Sequence, residues 1–144
     1  MPKRYIYIPF TEDENNFNLT LMALNWRHNA TPKGKAPEVV ARGEHRFELD
    51  KDSRPSIYVF GHSQNNESQV FSICNTGDPK DDPLFLMDVE EIARRLKEDG
   101  LTPEANAKIK LWFCNARGPD HPRKLAERFI KALGDDFKAS QTTV

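Results

Sequence analysis

Two short apolar runs separated by an amphipathic stretch constrain this chain more than any other feature. Ser56-Ile57-Tyr58-Val59-Phe60 and Lys108-Ile109-Lys110-Leu111-Trp112-Phe113 are rich in the β-branched and aromatic residues that favour strands. Between them, Asp88 to Asp99 carries the signals of a helix. Asp88 is placed to cap its start, with Glu91 completing a capping box; Val89, Ile92, Ala93 and Leu96 make the apolar stripe, and Gly100 sits at its end. A strand–helix–strand unit predicts parallel, adjacent strands joined by a right-handed crossover. Ile57, Val59, Ile92, Leu96, Ile109, Leu111, Phe129 and Leu133 are the expected core.

The remaining elements are arranged around that unit. Tyr5 to Phe10 predicts a strand, and Gln69 to Cys74 another, which can form a hairpin with the first run; Gly61 is expected to stop that run. Asn16 to Trp26 fits helical and alternating patterns alike and is assigned to a helix. Thr31 to Gly43, with Pro32, Gly34, Pro37 and Gly43, reads as an exposed loop, and His45 to Leu49 as a short strand. Pro122 opens a second amphipathic helix, with Leu125, Ala126, Phe129, Ile130 and Leu133 inward and Gly134 closing it. Asp135 to Val144 has room for one strand. The fold class is α/β, a three-layer sandwich with a mainly parallel sheet flanked by helices.

Composition narrows the function classes. The 144 residues suit one domain, spanning 1–144, and nine Phe, two Trp and three Tyr supply a core. Twenty-one Lys and Arg against 22 Asp and Glu give a formal net charge of −1, which tells against a nucleic-acid binder driven by bulk electrostatics. No apolar run approaches the ~20 residues of a membrane span. The N-terminal apolar stretch is too short and aromatic for a signal-peptide core. The expected location is cytoplasmic, or exported without a classical signal peptide. Cys74 and Cys114 have neither zinc-ligand spacing nor partners for a disulfide framework, so two reduced thiols are expected, with no metal and no cofactor.

In parallel sheets, function collects at the carboxyl ends of the strands. His62 and Cys114 both fall there. A thiol attacks a carbonyl as thiolate, and a neighbouring imidazole can lower its pKa or protonate the leaving amine. The plain alternative is a loop histidine and a small buried cysteine. Gly61-His62-Ser63-Gln64-Asn65 is close to the nucleophile elbow of α/β-hydrolases, with Ser63 as nucleophile. Asn65 replaces its second glycine, however, and a strand follows where the elbow needs a helix. Asp78, Asp81 and Asp82 lack EF-hand spacing and read as a solvated loop. Arg94, Arg95 and Lys97, with Arg123, Lys124, Arg128 and Lys131, read as solvated helix faces.

The order of apolar strand with histidine, helix, then apolar strand with cysteine resembles the caspase-like (clan CD) cysteine peptidases. The carrying residues are Ile57-Tyr58-Val59-Phe60-Gly61-His62 and Ile109-Lys110-Leu111-Trp112-Phe113-Cys114. Val89-Glu90-Glu91-Ile92-Ala93-Arg94-Arg95-Leu96 resembles the intervening helix of the self-processing peptidase domains of bacterial toxins, and Ala126-Glu127-Arg128-Phe129-Ile130 the helix after the cysteine. Ser63 stands where the family usually has glycine, and Phe113 where it usually has a small residue. The resemblance implies a cysteine hydrolase, such as a bacterial effector or toxin-associated domain, acting on a protein or peptide substrate. It makes Cys114 the nucleophile and His62 its partner, with the backbone N–H groups of Ser63 and Cys114 forming the oxyanion hole. The alternative is a non-catalytic domain of the same fold that binds a partner protein.

Overall fold

A computed structural model of the chain describes residues 3–11, 18–30, 37–43, 45–63, 69–73, 84–114, 121–134, 137 and 141–143. Among these residues, seven strands and three α-helices follow one another as β1 (Arg4–Ile8), α1 (Asn18–Ala30), β2 (Glu38–Ala41), β3 (Ser56–Ser63), β4 (Gln69–Ile73), β5 (Leu84–Asp88), α2 (Val89–Glu98), β6 (Lys108–Cys114), α3 (His121–Leu133) and β7 (Gln141–Thr143). All seven strands join one sheet. The pairs β2–β1, β1–β3, β3–β6 and β6–β7 are parallel, whereas β3–β4 and β4–β5 are antiparallel. The fold is therefore α/β with a mainly parallel sheet flanked by helices.

The expected parallel pairing of the two apolar runs is present. It extends over seven registered positions, from Ser56↔Lys108 to His62↔Cys114. β1 occupies the other edge of β3 only as far as Tyr7↔Val59, and Pro9, which has no N–H to donate, follows the strand. β4 then takes over that edge, with His62↔Phe71 and Ser63↔Val70. Gly61 does not stop β3, contrary to expectation. It is buried inside the strand, which runs on to His62 against β6 and to Ser63 against β4.

Right-handed crossovers assign the helices to faces. The β1–α1–β2 connection steps one way across the sheet and β6–α3–β7 the other, so α1 lies on one face and α3, with α2, on the opposite one. Side chains agree. Trp26 of α1 stacks on Phe60 with ring centroids 5.6 Å apart and meets Tyr58 edge-on at 4.7 Å. On the other side, Lys97 of α2 donates to the Ala132 and Leu133 carbonyls of α3 at 3.3 and 3.2 Å. The eight expected core residues are all buried, and a fully buried side chain of that size contributes about 1.5–3 kcal/mol.

Several expectations need correction. Glu38–Ala41, inside the expected loop, forms β2 against β1. His45 to Leu49 is no strand: both edges of β1 are taken, and the Phe47 N–H bonds the Asp99 carbonyl at 2.7 Å instead. Asp88 is the N-cap of α2, yet its side chain makes no cap bond, and Glu91 accepts from Arg94 and Arg95 rather than completing the box. Ile130 is 49% exposed, not inward. In the first half of β6, Ile109 and Leu111 are buried while Lys108 and Lys110 are exposed. Cys74, Asp78, Asp81 and Asp82 lie outside the described residues.

Candidate functional site

His62 and Cys114 are direct register partners at the carboxyl ends of two adjacent parallel strands. Neighbouring strands run about 4.8 Å apart, so the two Cα positions are nearest neighbours across the seam. Register partners fall on the same face of a pleated sheet. His62 shares its parity with Tyr58 and Phe60, which places the pair on the α1 side, two residues beyond the Trp26–Phe60 stack.

The backbone groups named for an oxyanion hole follow from alternation along each strand. Ser56 donates to the Lys3 carbonyl at 2.9 Å, on the β1 edge, so the Ser63 N–H, of opposite parity, faces β6. Lys108 donates to the Pro55 carbonyl at 2.8 Å, so the Cys114 N–H, of like parity, faces β3. Both N–H groups therefore point into the same seam. A regular parallel ladder that holds register to His62↔Cys114 directs the Cys114 N–H to the Gly61 carbonyl and the Ser63 N–H to the Cys114 carbonyl. A substrate oxygen using both donors has to compete with both bonds, the last of them closing the ladder.

A second polar constellation lies on the opposite face, and sequence inspection did not find it. The buried Tyr7 hydroxyl donates to Asp99, the residue that ends α2. Arg42, just past β2, donates to Asp99 at 3.3 Å and to Glu98 at 2.8 Å, and Arg46 donates to the Glu98 carbonyl at 3.0 Å. Burial raises the Tyr7 phenol far above its ordinary range, and the hydrogen bond to Asp99 raises it further. The hydrogen bond from Arg42 lowers the Glu98 carboxyl. The only signal available was that Tyr7 shares parity with the core residue Tyr5. The cluster ties β1, β2 and α2 together and offers no nucleophile.

A cavity of about 180 Å³ opens at the amino ends of the strands, between Lys3, Tyr5, Glu48, Leu49, Asp50, Ser53 and Pro55, remote from the His62–Cys114 end. Among the described residues, no group of three or more His, Cys, Asp or Glu could hold a metal, and no helix is long and apolar enough to cross a membrane. No protein-family model, curated protein or solved structure matches the chain.

Proposed function

We propose that the chain is a caspase-like cysteine peptidase acting through a Cys114/His62 dyad. The observation that carries this reading is the register His62↔Cys114 at the carboxyl ends of neighbouring parallel strands. The Cys114 thiolate adds to the scissile carbonyl carbon, forming a C–S bond and an oxyanion. Collapse of that intermediate breaks the C–N bond as His62 gives a proton to the leaving amine. Water then adds to the thioester, and its collapse releases the carboxylic acid and restores the thiol. The Cys114 N–H, freed from the Gly61 carbonyl, and the Ser63 N–H stabilise the oxyanion after the last rung of the β3–β6 ladder opens to admit it.

The same rung favours one rival. If it stays closed, the fold serves as a non-catalytic caspase-like interaction domain. Cleavage of a mixed peptide library by wild-type protein, Cys114→Ala and His62→Ala separates the two. The peptidase reading expects each variant to lose activity by roughly 10³-fold or more while remaining folded. Equal traces of hydrolysis in all three proteins leave the interaction domain standing.

A further inference from the structure

The cavity at the amino ends of the strands has a volume of about 180 Å³. An apolar cavity of about 150 Å³ holds a benzene ring, so this one suits a molecule of about six to eight heavy atoms. Ser53 is the anomaly in its lining. The Ser53 hydroxyl oxygen is shut away from solvent without a hydrogen-bond partner, alone in this among the described residues. A native fold that keeps such a group unpaired needs a reason for it. The backbone around it is fixed rather than slack. Asp52 and Arg54, on either side, both take positive φ, 56° and 51°. Their N–H groups donate to the Glu104 and Ala105 carbonyls at 2.6 and 2.8 Å. The Asp52 carboxylate accepts from Arg54 Nε at 3.0 Å and from Asn106 Nδ2 at 2.9 Å. Backbone of this kind persists only where its surroundings over-determine it.

The lining carries two carboxylates, Glu48 and Asp50, against one cation, Lys3. Lys3 in turn lies 3.8 Å from Glu38, and the neighbouring Arg54 is paired with Asp52. Lys51 is exposed in the same turn. Burial raises the Tyr5 phenol; Lys3 lowers it, and Glu38, Asp50 and Glu48 raise it again, so three carboxylates and one ammonium act on that hydroxyl. The field favours a cation. An inorganic one lacks its ligand set, since among the described residues no group of three or more His, Cys, Asp or Glu could hold a metal. Tyr5, Leu49 and Pro55 instead offer apolar surface to an organic body. Acceptors on separate residues suit the rotatable donors of an ammonium better than the planar fork of a guanidinium.

We propose that this cavity binds a primary alkylammonium group, whose head donates to the Ser53 hydroxyl and to the Glu48 and Asp50 carboxylates while its chain lies against Tyr5, Leu49 and Pro55. The Ser53 hydroxyl leaves its buried rotamer to accept from the head and so gains the partner it lacks. A free alkylamine and the lysine side chain of a peptide present the same chemistry. The site lies at the opposite end of β3 from His62 and does not depend on the peptidase reading.

The test titrates the full, isotopically labelled chain with n-pentylammonium chloride at neutral pH and constant ionic strength, read by amide chemical shifts. Saturable shifts are expected, centred on 3–5 and 48–53. Pentanol and pentanoate, the neutral and anionic counterparts, should bind roughly tenfold more weakly or not at all. Glu48→Gln with Asp50→Asn should weaken pentylammonium by roughly tenfold, and Ser53→Ala by several-fold. Ser53→Ala also separates a ligand role from a structural one. A hydroxyl with no protein partner adds nothing to folding, so the melting temperature without ligand should hold or rise, while the rise brought by pentylammonium shrinks. Nα-acetyl-lysine methylamide tells the two sources apart: affinity equal to that of pentylammonium identifies a peptide lysine, and much weaker binding a free amine. Pentanol binding as tightly as pentylammonium, undiminished affinity in both sets of variants, or shifts centred elsewhere overturns the proposal. So does a lowered melting temperature in Ser53→Ala with affinity unchanged, or the same shifts produced by calcium chloride at lower concentration.

Discussion

The Tyr7 hydroxyl reaches Asp99, at the far end of α2, and closes the gap between the first strand and a helix 92 positions later. Tyr7 has no exposed surface, and Asp99 is the one buried charged residue described. Tyr7→Phe keeps the ring and removes the donor from a charged acceptor that Arg42 still pairs. The expected loss is about 1.5–3 kcal/mol in urea unfolding at neutral pH. Unchanged stability would show that Arg42 alone satisfies Asp99.

The same pair sets an alkaline limit. The folded phenol is raised by burial and then by Asp99, so below the unfolded value of about 10 both states keep the proton and the contribution is complete. Above pH 10 the unfolded chain ionises first, and stability falls as pH rises toward the folded value. Unfolding between about pH 8 and 11 should therefore show a shallower alkaline decline in Tyr7→Phe than in wild type. Parallel declines would assign the limit to other groups.

Two helix-ending glycines should respond differently to alanine. Both have positive φ, +116° at Gly100 and +97° at Gly134. A Cβ at Gly100 would sit 2.5 Å from the Phe47 carbonyl oxygen, whereas at Gly134 nothing lies within 4 Å. Gly134→Ala should therefore cost only the backbone term, about 1–2 kcal/mol. Gly100→Ala must also displace the segment whose Phe47 N–H bonds the Asp99 carbonyl, and its melting temperature should drop distinctly further. Equal drops would mean that this segment yields freely.

Where periodicity was strong, the sequence was a reliable guide. Ile92 and Leu96, and Ile57 with Val59, took the faces their spacing required, because a stripe on a capped helix and an apolar strand each have one way to bury. β2 was hidden by the prolines and glycines around Glu38–Ala41, and only pairing with β1 makes it a strand. β5 was hidden because Leu84–Asp88 passes straight into α2, its last residue, Asp88, being itself the helix N-cap. Ile130 misled because it adjoins Phe129, yet one residue further on, a helix has turned by about 100°. The pairing of His62 with Cys114 was legible from two strand ends. The row joining Arg4 to Lys108 was not, since cross-strand register belongs to the assembled sheet.

Leu96 and Ile130 offer a direct comparison of a buried and an exposed position. Leu96 is fully buried among the core residues and Ile130 is half exposed. Leu96→Ala should cost about 2–5 kcal/mol, while Ile130→Ala should stay within about 0.5 kcal/mol. Comparable losses would place α3 in a different rotation against the sheet.

The thiols supply the last prediction. If His62, its register partner, stabilises the Cys114 thiolate, iodoacetamide should modify Cys114 faster than Cys74 at neutral pH. A thiol of pKa about 8.5 is only a few per cent ionised there, so a downward shift of about two units raises the rate severalfold. His62→Ala should remove the difference. Ser63→Ala should leave labelling and cleavage nearly intact, because the part assigned to Ser63 belongs to its main-chain N–H. Ser63→Pro, which deletes that N–H, should leave the labelling contrast and abolish cleavage; its far-ultraviolet spectrum must match wild type, since Ser63 also pairs with Val70 in the β3–β4 ladder. A Ser63→Ala protein that has lost all hydrolysis would instead make the hydroxyl the nucleophile. Peptide-mass mapping after timed labelling distinguishes the two cysteines, and slow, equal modification of both would leave Cys114 an ordinary strand-end thiol.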